Sequence, residues 1–171
     1  MFPGHFAAGL ALKVAQPRAP MLGLMIGVGV LDLLFGIGVM LDIEGGSFAH
    51  FETPWSHSLV MALLWSMLYA AWFRARGIGV AAAMAAAVFS HWLLDLVSHH
   101  PDMQLWPYST VELGYGAHFG GLGGWLEMLI TLCGVLAYCR WAWRQRDTRR
   151  RWGIIALVMG VALTLEIVVV G

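Results

Sequence analysis

From Met21 to Leu41 the only charged side chain is Asp32, and from Gly77 to Leu94 there is none before Asp95. Apolar runs of that length fit best as helices in a bilayer, where each backbone group finds its partner within its own segment. Of the 171 residues 60% are hydrophobic and 12% charged, with mean hydropathy +0.73. That composition excludes an ordinary soluble domain and predicts an all-α, polytopic membrane bundle forming one integral membrane domain over residues 1–171.

Prolines and basic residues set the expected layout. Residues 2–15 are too short to span about 30 Å of hydrocarbon and read as a half-span, closed by Lys13, Pro17 and Pro20. Five spans follow, at 21–41, 57–73, 78–98, 122–143 and 153–170. All six prolines fall at segment ends or in loops, where a missing N–H costs least. The ten Lys and Arg residues lie at 13–18, 74–76 and 140–151, all on one side of this layout. By the positive-inside rule that side is cytoplasmic, which predicts an integral membrane protein with loops 42–56 and 99–121 facing outward.

Several classes drop out. Cys133 and Cys139 lie six apart on different helix faces, so neither a disulfide nor a metal pair is expected. No basic n-region precedes an apolar core, so a cleaved signal peptide is not expected. There is no nucleic-acid signature, no Gly-x-Ser-x-Gly elbow and no phosphate-binding glycine loop.

The informative residues are the ionisable ones placed deep in apolar segments. His91 and Asp95, one turn apart in Ser90–His91–Trp92–Leu93–Leu94–Asp95, share one narrow helical stripe. At 1.5 Å per residue, His57, His91 and Asp95 lie roughly 25, 22 and 28 Å from the nearest basic residue, and Asp32 and Glu127 about 20 Å. His5 is shallower. Such groups are costly in lipid without partners, so their convergence predicts a site. Each also has a plainer role. His5 could be a hydrogen-bonded core residue, and Ser56 before His57 could cap a helix with Glu52 at its positive end. Asp32 lies between Gly29 and Gly36 on a stripe that would admit a neighbouring helix. Asp102 after Pro101 could start a turn, and His50, His99, His100 and His118 could be wet loop residues.

Mixed imidazole and carboxylate ligands suit zinc, and also manganese or iron, whereas calcium and magnesium prefer oxygen alone. With an open position, such a shell turns bound water into a nucleophile near neutral pH. Glu127 heads a stripe with Thr131, Gly134 and Tyr138 and is the candidate for moving a proton, with Asp95 the second catalytic candidate.

In order, Gly4–His5, Val30–Leu31–Asp32–Leu33, Pro54–Trp55–Ser56–His57–Ser58, Ser90–His91–Trp92–Leu93–Leu94–Asp95 and His99–His100–Pro101–Asp102 form a pattern. Over about the first two-thirds of the chain it resembles the bacterial membrane-bound metal-dependent hydrolases of the YdjM-like type. The resemblance implies a membrane-embedded metal site at His5, Asp32, His57, His91 and Asp95. Together these readings predict a zinc-first, divalent-metal hydrolase acting near the outer face on an ester or phosphoester of a membrane lipid or lipid-linked substrate. The alternatives are a non-catalytic accessory or scaffold subunit of a membrane complex and an iron-dependent membrane oxidoreductase. Association with other membrane proteins, or with a second copy of the chain, is left open, and no nucleic-acid partner is expected.

Overall fold

The computed structural model describes residues 2–47, 50–98, 101–115 and 122–144. Its framework is helical: α1 (Phe2–Ala15), α2 (Met21–Met40), α3 (Leu59–Phe73), α4 (Ile78–Ser98) and α5 (Leu122–Arg144). Two short antiparallel ribbons lie in the loops. β1 (Gly45–Ser47) pairs with β2 (His50–Glu52), Gly45 opposite Glu52, and β3 (Met103–Gln104) pairs with β4 (Glu112–Leu113), Met103 opposite Leu113.

Helix α4 is central, packing on α3, α2 and α1, while α1 lies between α5 and α2. Its alanines explain this place. Ala83, Met84 and Ala87 are buried with Leu24 and Val28 of α2, small side chains that let the two axes approach. A second cluster, Leu10, Val135, Tyr138 and Ala142, joins α1 to α5. The third, Leu31, Ala62, Val88, Trp92 and Met103, seals the end of the bundle beneath the 101–115 loop. That loop is tied down by Val60 N–H donating to Leu105 O (3.1 Å) and Tyr115 N–H to Leu96 O (3.0 Å).

Prolines and basic residues close the turns as the sequence suggests. Lys13 Nζ donates to Pro17 O (2.9 Å) and Ala19 O (2.6 Å), folding the chain from α1 into α2. The 3-10 turn Arg74–Arg76 ends at Gly77, whose φ of 100° admits glycine with least strain.

The expected helix at 57–73 starts two residues late. Pro54 to Ser58 form turns instead, and the 15 residues of α3 rise only about 22 Å, short of a full span. Among the described residues two helices, α2 and α4, are long and apolar enough to cross a membrane, rather than five. The span at 153–170, with Glu166, lies outside the described residues.

Two glycines should respond oppositely to alanine. A Cβ on Gly134 would lie 2.5 Å from Ala7 O in the α1–α5 contact, whereas one on Gly29 meets nothing within 4 Å. Gly134→Ala should lower stability by about 1–3 kcal/mol, the usual cost of overpacking. Gly29→Ala should lose nothing, since alanine is the better helix former. Thermal unfolding of both variants in detergent checks this, and equal behaviour would contradict the α1–α5 packing.

Candidate metal centre

Asp32 from α2, His57 from the turn before α3, and His91 and Asp95 from α4 converge on one point. His57 Nε2 lies 3.3 Å from His91 Nε2 and 3.5 Å from Asp95 Oδ2. His91 Nε2 is 3.0 Å from Asp95 Oδ2 and 3.4 Å from Asp32 Oδ1, and His57 Nε2 is 3.6 Å from Asp32 Oδ1. Only the 3.0 Å pair falls well inside the usual N–H···O range of about 2.7–3.2 Å. A tetrahedron of donors around zinc, with bonds of about 2.0–2.1 Å, has edges of about 3.3–3.4 Å. The five distances to the His57 and His91 nitrogens, 3.0–3.6 Å, are of that size.

The outer nitrogens of the two rings explain why. His91 Nδ1 lies 2.6 Å from Val28 O, a pure acceptor, so Nδ1 carries the ring proton. Ser56 Oγ donates its one hydrogen to Glu44 Oε1 (3.0 Å), so at 2.8 Å it accepts from His57 Nδ1–H. In the neutral rings both Nε2 atoms are then bare lone pairs, facing each other and two carboxylate oxygens. Four acceptors share no proton of their own, and a cation relieves the repulsion. Buried His/Asp groups here can therefore hold a metal ion: His5 with His91 and Asp95, and Asp32 with His57 and His91.

Local structure delivers each donor. One turn of α2 supplies both Val28 O behind His91 and Asp32 in front of it. Helix α2 ends with Asp42 in the left-handed region at φ 59°. Asp42 N–H donates to Val39 O and Ile43 N–H to Gly38 O, a Schellman pattern with aspartate in glycine's usual place. That reversal turns Glu44 inward against Gly38, where a Cβ would lie 2.6 Å from Glu44 Oε2. Glu44 Oε1 then accepts from Trp55 N–H (2.8 Å), Ser56 N–H (2.8 Å) and the Ser56 hydroxyl. Trp92 Nε1–H donates to His57 O (2.8 Å) and locks the turn to α4.

All five metal candidates named from the sequence thus share one region. His5 takes a distinct place: its Nε2 lies 3.2 Å from Asp95 Oδ1, the oxygen turned away from His57, and its ring is 4.0 Å from that of His91. Glu127 stands on the α5 stripe of Thr131, Gly134 and Tyr138, which faces α1, and its side chain lies outside the described residues. Also outside are His99, His100 and His118.

Three local expectations change. Ser56 does not cap α3: the N-cap residue is Ser58, whose Oγ donates to Pro54 O (2.7 Å), while Ser56 bridges Glu44 and His57. The acidic partner at this turn is Glu44 rather than Glu52, and nothing in a loop glutamate beside Gly45–Gly46 signalled it. Asp102, expected at a wet turn, is only 6% exposed.

Asp95→Asn keeps the size of the side chain but removes the charge that offsets a cation. Metal content after loading should fall while the helicity of the bundle stays close to wild type. Ser56→Ala frees the His57 ring and should weaken metal affinity by about 10–100-fold, the usual cost of losing an outer-shell partner. Elemental analysis and metal titration read both, and Asp95→Asn raising stability in a protein that takes up no metal would show a purely structural network. Comparison with protein-family models, with curated proteins and with solved structures finds no match for this chain. The functional reading rests on these side chains.

Proposed function

We propose that the protein is a membrane-embedded, divalent-metal-dependent hydrolase of the YdjM-like type, with zinc the first choice of metal. It acts on the ester or phosphoester of a lipid-linked substrate near the outer face of a bacterial inner membrane. The observation that carries this reading is the pair of inward His57 and His91 nitrogens, 3.3 Å apart and each 3.0–3.6 Å from an oxygen of Asp32 and of Asp95, with both ring protons turned outward. The placement of Asp32, His91 and Asp95 on α2 and α4, the two helices among the described residues that are long and apolar enough to cross a membrane, supports a site within lipid. In this reading the basic segments face the cytoplasm, α2 and α4 cross the bilayer, and α3, like the α1 half-span, reaches only part of the way.

A bound divalent ion would supply Lewis acidity and a lowered water pKa. The chain's own groups do the rest. Val28 O and Ser56 hold the two imidazoles with their Nε2 atoms inward, and His5 holds Asp95 through its second oxygen. Asp32, with 41% of its side chain exposed, marks the accessible edge where a substrate oxygen can approach. Glu127, on the α5 stripe facing α1, is the proton-moving group in this scheme.

One observation favours a second reading. Asp32, His57, His91 and Asp95 offer four protein ligands in all, as structural zinc sites do, whereas catalytic zinc usually keeps one position open. A scaffold subunit with a structural metal would look the same at this level.

Purified protein in lipid vesicles, loaded with zinc, manganese or iron, separates the two. The hydrolase reading expects metal-dependent release of product from a lipid-linked ester or phosphoester. His57→Ala and Asp95→Asn should lower it by more than about a hundredfold, beyond the loss of an outer-shell partner. Metal-replete protein that turns over neither bond type, yet unfolds when stripped, supports the scaffold.

A further inference from the structure

Four of the five site residues are sealed. His5, His57, His91 and Asp95 are all buried, and Met103, Trp92 and Leu31 pack in the cluster beneath the 101–115 loop. Asp32 alone has a side chain with substantial exposure, on the helix where the nearest charged residues lie at Arg18 and Asp42. Its Oδ1 faces His57 and His91. Gly29 and Gly36 stand one turn to either side on the same face, and a Cβ on either meets nothing within 4 Å among the described residues. The sequence suggested that this stripe admits a neighbouring helix, but no described helix lies against it. Leu33 and Ile37, alongside, are exposed and apolar.

The open edge therefore lies partway along a helix apolar enough to cross a membrane. A carboxylate left half exposed there faces hydrocarbon unless a polar group comes to it, and glycines on both sides leave room for that group and for a chain behind it. Below this level α1 covers α2: Gly9 sits against Met25 and Val28, and Val14, Met21 and Met25 all pack on the cluster around Leu10. The covered half and the open half of α2 thus meet near Asp32.

We propose that the site is reached sideways from the lipid, along the Gly29–Asp32–Gly36 face of α2, by an amphiphile that keeps its hydrocarbon tail in the bilayer. Its polar ester or phosphoester end meets the metal centre at the Asp32 edge. The choice of an amphiphile over a water-soluble substrate rests on the hydrolase reading; the sideways opening does not. An acyl or prenyl tail lying along α2 has Leu33 and Ile37 as its wall, and the two missing side chains as its channel.

Spin labels report the opening without any assay of activity. Gly29→Cys and Gly36→Cys, each in a Cys133→Ala, Cys139→Ala background, are labelled with a nitroxide and placed in phospholipid vesicles. Leu33→Cys serves as the lipid-exposed control. The sideways opening expects molecular oxygen, which concentrates in lipid, to reach both glycine positions as it reaches position 33, with a water-soluble nickel chelate excluded. Nickel prevailing at 29 and 36 shows an aqueous cleft, and neither reagent reaching them shows a face covered by protein; each overturns the proposal. In metal-loaded protein, Gly29→Leu combined with Gly36→Leu should lower the ratio of long-chain to short-chain ester turnover by about tenfold or more. An unchanged ratio overturns the amphiphile channel while leaving the hydrolase in place. A wild type that turns over neither ester removes the hydrolase reading, and the spin-label result still decides the opening.

Discussion

One turn of α2 holds both ends of the His91 ring, and the rest of the site is arranged around that grip. Val28 O takes the Nδ1 proton and Asp32 Oδ1 stands 3.4 Å from Nε2. The ring can reach between them only because α2 and α4 pack closely through Leu24, Val28, Ala83 and Ala87. A larger residue at Ala87 would push α4 away, and His91 would lose its acceptor before the core lost its cohesion. Packing and ligand orientation are therefore one property of this helix pair.

His57 is held by different means, because it lies in a turn. Its position comes from three ties: its carbonyl accepts from Trp92, its Nδ1 donates to Ser56, and Ser56 donates to Glu44. Glu44 is itself fixed by the left-handed Asp42 that reverses the chain after α2. The acidic 42–56 loop is thus part of the site's architecture. The shortened α3 follows from the same cause, since residues spent on the turn that presents His57 are lost from the helix.

This division tracks what could be read from the sequence. The bounds of α1, α2, α4 and α5 were legible to within a residue, because long apolar runs ended by Pro17, Pro20, Gly77 and Pro101 leave few other choices. The gathering of His5, Asp32, His57, His91 and Asp95 was legible as well, because ionisable groups in apolar segments need partners. Glu44 and the bridging Ser56 were not. Their roles depend on a chain reversal and a side-chain bond twelve residues apart in sequence, and neither leaves a periodic signal. The start of α3 was also hidden, since Ser56–His57–Ser58 offers two equally good caps and only the contact with α4 decides between them.

The energetics favour an ion over bare packing. In the membrane-embedded reading, an aspartate at the centre of a span costs roughly 2.5–3.5 kcal/mol on insertion scales. That cost applies to Asp32 partway along α2, while Asp95, three residues from the end of α4, costs less. Structural zinc contributes about 10–16 kcal/mol in small peptides at neutral pH, enough to offset both. One added proton on His91 Nε2 would be shared with Asp95 Oδ2 at 3.0 Å and with His57 Nε2 at 3.3 Å, but it balances only one of the two carboxylates. The same comparison ranks the donors. His57 and His91 have their outer nitrogens tied, and Asp95 has His5 on its second oxygen. Asp32 alone meets the site through one oxygen while its side chain stays half exposed. Of the four donors it is the one that can move aside at least cost, and a shell with one loosely held carboxylate is intermediate between a closed structural site and an open catalytic one.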